Sequence, residues 1–434
     1  MHVSVDPSQK TLQEENQRLK RAVEELSILN DLARAIGASL NTQEIIQTIV
    51  RRSLRAINAE QGVITLVDEQ QQGTMKTLMR TMENSGDHEQ FHFDQALLGW
   101  MHLNKKPLVM NDTKHDERFP DVPWSDSIRS LISVPMMVKS GLRGVLTVYN
   151  KKADALFSDD DQRLLAIIAS QSAQVVENAR LNEQEQTLIL MQEEVRLASR
   201  IQTELLPKQP PKIQGYDIAG KAVPAQTVGG DYFDFIPIDE HRIAVCLGDV
   251  SGKGLPASLL MANLQATLRG QTLSNISAKD CLSRSNGLLY RCTSPEKFAT
   301  VFYGILDVQS HTLSFSNAGH DNPFVLSARG EPVRLKVGGI PLAMFGEFQY
   351  EEGMIALELG DTVVIYSDGI PEAMNANDDF FSERGVEAVL KEHWHLPANE
   401  LMDQLMRAAK VHAGNTPQSD DMTMIVVKRL SDVL

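Results

Sequence analysis

Apolar residues recur along this chain with two periods, one typical of helices and one of strands. Near the N-terminus they share one heptad position, at Leu12, Leu19, Leu26 and Ala33. Asn16 and Asn30 fall at the alternate position, where Asn in a coiled-coil seam fixes register at a cost in stability. The segment is either a short dimerisation helix or a solvated amphipathic helix that leads into a domain.

The next part of the chain, residues 26–180, has the pattern of an α/β unit. Helical periodicity covers residues 44–54, and residues 62–67, 131–135 and 144–149 alternate as strands. A helix is predicted from residue 159 to residue 180, and a second apolar seam continues it. The seam consists of Leu181, Leu188, Met191, Val195, Ala198 and Leu205. Because proline cannot continue a helix, Pro207 predicts a boundary there.

From about residue 213 onward, short apolar strands alternate with acidic turns. Strands are predicted at 243–247, 302–306, 363–366 and 424–427, and helices at about 255–269, 278–291, 382–391 and 398–412. This grouping indicates two packed sheets with outer helices, an α+β architecture. The predicted order is an N-terminal helix (1–25), a sensor domain (26–180), a helical linker (181–207) and a C-terminal domain (208–430).

Composition narrows the possible functions. The 434 residues are 42% hydrophobic and carry a net charge of −15, which disfavours a nucleic-acid partner. No apolar run reaches the roughly 18 residues that a membrane span needs, and the N-terminus lacks the pattern of a signal peptide. We therefore expect a cytoplasmic protein. Cys246, Cys281 and Cys292 have neither metal-ligand nor disulfide spacing and are expected to be buried apolar side chains.

Aspartates at strand ends carry the candidate chemistry. They lie in four turns, Gly-Gly-Asp231-Tyr-Phe-Asp234, Gly-Asp249-Val-Ser-Gly-Lys-Gly, Tyr-Ser-Asp368-Gly and Ser-Asp420-Asp421-Met-Thr. If the strand ends converge, the carboxylates repel one another unless cations bind between them. Oxygen ligands without His or Cys favour Mg²⁺ or Mn²⁺ over zinc, and two such ions lower the pKa of a water between them. Glycines beside the aspartates would let the backbone approach the ions.

Residues 194–428 resemble the PPM metal-dependent protein phosphatases of the bacterial SpoIIE/RsbU type. The lead-in helix 197–207, the four acidic turns and Asn317-Ala-Gly-His320 follow in the family order. The resemblance implies a β-sandwich flanked by helices, two Mn²⁺ or Mg²⁺ ions, and phosphoserine or phosphothreonine in a protein as substrate.

The resemblance also implies individual roles. Asp231, Asp249 and the Val250 carbonyl would bind one ion, and Asp249 would bridge to a second ion held by Asp368 and Asp420. Asp421 and Asp234 would lie behind the ligands. His320 is either a general acid or a residue that organises its loop. Eukaryotic relatives grip phosphate with an Arg where this chain has Gln226.

Residues 26–180 resemble a GAF sensor domain, with Ser133-Val-Pro-Met136 before a Gly turn. The domain would receive a small-molecule or protein signal, and the sequence does not identify its ligand. Asn150-Lys151, Phe157 and Asp161 partly match a cyclic-nucleotide-binding motif, for which a structural role is preferred. Family analogy implies that the substrate is a phosphorylated anti-sigma-factor antagonist. The two apolar helical seams predict a homodimer. The alternative is a catalytically silent scaffold that binds a phosphoprotein.

Overall fold

The computed structural model describes residues 42–67, 75–82, 95–120, 122–139, 141–327 and 332–430. The predicted N-terminal helix, residues 1–25, lies outside these ranges, as does the heptad seam that ends at Ala33. The chain divides into two compact units between Ile189 and Leu190, within the predicted linker. The domain boundaries given above stay predictions.

The N-terminal unit is built on one antiparallel sheet with strand order β2-β1-β5-β4-β3. Its strands are β1 (Ala59–Val67), β2 (Met75–Met82), β3 (Leu108–Met110), β4 (Leu131–Val138) and β5 (Gly141–Lys151), and its first helices are α1 (Thr42–Ile57) and α2 (Gln95–Asn104). The apolar stripe of α1 packs with the start of a third helix on one face, and α2 covers the other. The sequence pattern predicted α1, β1, β4 and β5 but did not predict α2, β2 or β3.

Helix α3 runs without interruption from Asp159 to Leu205, a length of 47 residues. Three aspartates occupy its first turn, where negative charge is favourable to the helix dipole. It ends two residues before Pro207, as the proline rule predicts. The helix predicted to close the N-terminal domain and the predicted linker helix are thus one element. Leu181, Leu188 and Met191 of the second seam are all exposed.

The C-terminal unit contains two sheets that pack face to face, and their strand pairs are antiparallel except for the parallel pair of β10 and β13. One has strand order β13-β10-β9-β8-β7 with β14 paired to β10, and the other has order β12-β11-β15-β16-β6. Their strands are β6 (Tyr216–Val223), β7 (Tyr232–Pro237), β8 (Arg242–Val250), β9 (Ala299–Asp307), β10 (Thr312–Ala318), β11 (Phe324–Leu326), β12 (Val333–Arg334), β13 (Gly338–Gly339), β14 (Gly353–Ala356), β15 (Thr362–Tyr366) and β16 (Met422–Arg429). Apolar side chains from both sheets fill the space between them.

Four helices cover the outer faces of these sheets: α4 (Leu255–Thr272), α5 (Ala278–Cys292), α6 (Ser382–His393) and α7 (Ala398–Ala413). Helices α4 and α5 pack on the sheet that contains β8, and α6 and α7 pack on the sheet that contains β15. The predicted α+β fold, a sandwich flanked by helices, is confirmed. Cys246 and Cys281 are buried between the sheet that contains β8 and helices α4 and α5, whereas Cys292 is exposed, contrary to the expectation that all three are buried. No helix in the described ranges has the length and apolar character needed to cross a membrane.

Candidate active site

The first pair of predicted site residues comes from the hairpin of β7 and β8. Asp231 directly precedes β7, and Asp249 lies near the end of β8. Because Tyr232 pairs with Gly248 across the antiparallel ladder, the next residues outward, Asp231 and Asp249, end at the same edge of the sheet. The hairpin therefore brings together two aspartates that are 18 positions apart in the sequence.

The second pair arises in the same way in the other sheet. Tyr366, the last residue of β15, pairs with Met424 of β16. Asp368 follows β15 and Asp420 precedes β16, so both lie at the same sheet edge. Asp421, the chain neighbour of Asp420, accepts hydrogen bonds from the backbone N–H groups of Gly230 and Asp231, so the two sheet edges converge.

Crowding raises the pKa values of three of these carboxyls. Burial and the adjacent Asp249 raise the pKa of Asp231 well above its ordinary value. Burial, followed by Asp368 and Asp420, raises the pKa of Asp249 to about 7. Burial and Glu372 raise the pKa of Asp368 to about 6. Such a cluster favours binding of either protons or cations.

The Val250 carbonyl and Gly230 show why the motif contains glycine. A Cβ atom at Gly230 would lie 3.1 Å from the Val250 carbonyl oxygen and 3.2 Å from Asp249 Oδ1. A side chain at that position would crowd these two oxygens, so glycine suits the close approach of the Gly-Gly-Asp turn to β8. The carbonyl and carboxylate oxygens predicted to share one ion therefore lie beside the same glycine.

Asp421 holds that turn through its carboxylate. It accepts hydrogen bonds from the backbone N–H groups of Ala225 at 2.8 Å, Gly230 at 2.6 Å and Asp231 at 3.2 Å. The side chain is buried, so these three bonds replace its contacts with water. Asp421 thus fixes the backbone that carries Asp231, a role consistent with its predicted place behind the ligands.

Asp420 has partners other than the remaining aspartates. Its Oδ1 accepts the backbone N–H of Asp421 at 2.9 Å, and its Oδ2 lies 3.0 Å from the Lys253 ammonium. Within the described ranges, no group of three or more His, Cys, Asp or Glu side chains is close enough to hold a metal ion.

The donor set nevertheless fits hard divalent cations. Asp231 Oδ2 is buried and accepts no hydrogen bond in the structure. A buried carboxylate oxygen without a partner is costly unless a proton or cation occupies it. The surrounding donors are carboxylate and carbonyl oxygens, the ligands that Mg²⁺ and Mn²⁺ prefer.

His320 is buried behind the cluster. Its Nδ1 lies 2.9 Å from the Thr300 hydroxyl, and Thr300 pairs with Asp249 across β8 and β9. Burial lowers the pKa of His320 to about 4, so the ring is neutral near pH 7. Asn317 accepts the His320 backbone N–H at 2.7 Å and donates to its carbonyl at 2.9 Å. These contacts favour the loop-organising role over that of a general acid.

Asp234 faces a different part of the domain from the other aspartates. Its carboxylate accepts two bonds from Arg269 of α4, at 2.6 Å and 3.0 Å, and one from the Tyr232 hydroxyl at 2.6 Å. The side chain is fully buried. Asp234 therefore joins β7 to α4 through its carboxylate.

The partial nucleotide-binding motif of the N-terminal unit forms internal contacts. Lys151 pairs with Asp161, which also accepts from the Ser158 backbone N–H at 2.8 Å at the start of α3. The Asn150 side chain accepts the Arg129 backbone N–H at 2.8 Å and donates to the Ser127 carbonyl at 2.8 Å. These residues connect loops to the sheet, in agreement with the structural role preferred from the sequence.

Two residues near the site had no role assigned from the sequence. Gln202 of α3 donates to the Gly229 carbonyl at 2.6 Å and accepts the Gly229 backbone N–H at 3.0 Å. Lys253 contacts both Asp420 and the Ser419 carbonyl, the latter at 2.7 Å. Both residues belong to motifs that carry the family resemblance, which is the signal that could have directed attention to them.

Comparisons with known proteins match both units. Residues 239–430 match the family described as stage II sporulation protein E (SpoIIE), and residues 39–177 match the GAF domain family. The phosphoserine phosphatase RsbU of Bacillus subtilis is 27% identical over 252 residues, covering 57% of this chain and 74% of RsbU. Protein IcfG of Synechocystis is 25% identical over 266 residues, and this chain spans 41% of its length. The solved SiaA-PP2C domain of Pseudomonas aeruginosa is 21% identical, with a TM-score of 0.49, and the match covers 56% of this chain and 98% of that domain.

Proposed function

We propose that this chain, which carries a GAF domain followed by a SpoIIE-type PPM phosphatase domain, is a metal-dependent phosphatase of phosphoserine and phosphothreonine in proteins. The observation that carries the proposal is the convergence of Asp231, Asp249, Asp368 and Asp420 at one end of the sandwich, with the pKa raised at three of them. The name of RsbU, a phosphoserine phosphatase, supports the same activity.

The residues that would hold two Mn²⁺ or Mg²⁺ ions are those of the convergent strand ends. Asp231 and the Val250 carbonyl would bind one ion, Asp368 and Asp420 the other, and Asp249 would bridge them. Asp231 Oδ2, which is buried without a partner, is the atom that most needs a cation. When bound, such ions activate water for attack on phosphorus and neutralise charge on the phosphoryl oxygens.

The remaining residues of the site position these ligands. Asp421 orients the turn that carries Asp231 through three backbone N–H groups. Gly230 leaves room for the Val250 carbonyl, and His320 holds the Thr300 hydroxyl opposite Asp249. The chain needs no nucleophile of its own, because water attacks phosphorus directly.

The substrate and regulation form the second part of the proposal. By family analogy, the substrate is a phosphorylated anti-sigma-factor antagonist in a cytoplasmic partner-switching pathway. The GAF domain receives a small-molecule or protein signal. The exposed apolar residues Leu181, Leu188 and Met191 support a homodimer formed through α3. Sedimentation as a monomer at micromolar concentration would contradict the dimer.

The test is hydrolysis of a phosphoserine peptide with Mn²⁺ or EDTA, using wild type, Asp249→Asn and the control Asp403→Asn. Asp403 is an exposed aspartate of α7 that pairs with Lys221. We expect activity that requires Mn²⁺, survives in Asp403→Asn and falls by at least about a hundredfold in Asp249→Asn. Equal activity in all three proteins would refute the site. Phosphoprotein binding without hydrolysis by wild type would favour the scaffold.

A further inference from the structure

We infer that Lys253 is the residue that binds the phosphate group of the substrate. The inference rests on the proposed function, since it names the group that receives the phosphate at the same site. Lys253 lies in the loop between β8 and α4, within the Gly-Asp-Val-Ser-Gly-Lys-Gly motif. Its neighbours Gly252 and Gly254 have φ angles of +100° and +71°, so the backbone on both sides adopts conformations that favour glycine.

The charge of the site creates the need for such a residue. Two divalent cations would balance Asp231, Asp249, Asp368 and Asp420 but would leave the buried Asp421 uncompensated. A phosphate monoester then adds up to two further negative charges. A fixed positive charge at the rim reduces this repulsion and supplies charge-assisted hydrogen bonds to phosphoryl oxygens.

Lys253 is already located where that charge is needed. Its ammonium lies 3.0 Å from Asp420 Oδ2 and 2.7 Å from the Ser419 carbonyl oxygen. Among the described residues, the Lys253–Asp420 pair is the one ion pair between a Lys or Arg and the aspartate cluster. The Lys253 side chain is 53% exposed, so it borders both the cluster and solvent. A phosphate approaching from solvent therefore meets this ammonium at the entrance.

The present partner of Lys253 is also a proposed metal ligand. If a cation binds Asp420, the carboxylate exchanges the ammonium for the metal, and a flexible lysine side chain can then turn to another anion. Two neighbouring polar side chains do not supply a second positive charge to the aspartate cluster. Gln226 is neutral, and its Oε1 lies 3.6 Å from a Cβ built at Gly254. The ammonium of Lys297 donates instead to the Ser251 carbonyl, at 3.2 Å.

The experiment compares wild type, Lys253→Met, Lys253→Arg and a matched control, Lys221→Met. Lys221 forms an exposed pair with Asp403 at 3.2 Å, similar in length and exposure to the pair formed by Lys253. Two quantities are measured with Mn²⁺ present. The first is KM and kcat for a phosphoserine peptide, and the second is the affinity for inorganic phosphate by titration calorimetry, which requires no turnover.

We expect Lys253→Met to raise KM and weaken phosphate binding by roughly tenfold, the effect of one charge-assisted bond, with kcat changed less than threefold. Lys253→Arg should recover most of the affinity, and Lys221→Met should match wild type. Unchanged KM and phosphate affinity in Lys253→Met, with an active wild type, would overturn the inference alone. If wild type is inactive, the proposed function fails, and the calorimetric titration still tests the role of Lys253. Loss of phosphate binding in Lys253→Met would support the inference. No phosphate binding by wild type, or unchanged phosphate affinity in Lys253→Met, would refute it.

Discussion

Replacement of Asp249 by Asn should stabilise the metal-free protein while abolishing its response to metal. Burial and, after it, the neighbouring carboxylates raise the pKa of Asp249 from 3.8 to about 7. Between these values the folded state binds more protons than the unfolded state, so stability falls as pH rises from about 4 to about 7. Above pH 7 the full penalty is present. Cation binding or removal of the charge relieves it.

The size of this penalty follows from the pKa change. A move from 3.8 to about 7 corresponds to an upper limit of about 4 kcal/mol. Because Asp249 is partly exposed and the amide retains a burial cost, we expect about half of this, roughly 2 kcal/mol, at pH 8. For a unit of this size, the melting temperature should rise by about 4–8 °C.

Differential scanning calorimetry of the full chain in EDTA and in Mn²⁺ measures both effects. The transition that shifts with Mn²⁺ in wild type identifies the C-terminal unit. Wild type should gain about 2.7 kcal/mol at a Mn²⁺ concentration one hundred times its Kd, whereas Asp249→Asn should gain little. The variant's advantage in EDTA should disappear near pH 4. A variant less stable than wild type in EDTA at pH 8, or equally stabilised by Mn²⁺, would refute the reasoning.

Three further predictions concern residues around the ligands. His320→Gln should retain more than about a tenth of wild-type kcat/KM, and the pH profile of kcat/KM should be unchanged between pH 6 and 8. The reason is that the pKa of about 4 leaves the His320 ring neutral in this range. Loss of one limb of the profile would instead indicate a general acid. Gln202→Ala should destabilise the fold by about 1–3 kcal/mol and weaken Mn²⁺ binding, because both hydrogen bonds to Gly229 are lost. Calorimetry measures both effects, and unchanged Mn²⁺ affinity would contradict the prediction. Arg269→Met should cost about 2–3 kcal/mol by leaving Asp234 buried without its charged partner, with Mn²⁺ affinity unchanged; weaker Mn²⁺ binding would place Asp234 within the metal site.

The sequence predicted the elements whose patterns are strongest. Strands β15 and β16 are runs of apolar residues next to acidic turns, and the helices that pack on them have clear apolar stripes. In contrast, β3 has only three residues and α2 is apolar on most sides, so neither gives a distinct period. The extra elements of the N-terminal unit therefore could not be inferred.

The site was predictable where chemistry is local and unpredictable where it depends on distant contacts. Asp-Gly turns after strands pointed to the ligands, but the pair of Lys253 with Asp420 joins residues 167 positions apart. The orientation of Asp234 follows from the alternation of side chains along its strand. Side chains in β7 alternate between faces, and Asp234 shares the helix-facing side with Tyr232, whereas Phe233 faces the other sheet.

Anomalous diffraction from crystals grown with Mn²⁺ tests the central claim most directly, because it locates the ions without reference to activity. The account predicts two peaks, one beside Asp231 and the Val250 carbonyl and one beside Asp368 and Asp420, with Asp249 contacting both. Density at only one position would require the bridging role to be abandoned. Absence of both peaks at millimolar Mn²⁺, or peaks only elsewhere, would contradict the two-metal phosphatase.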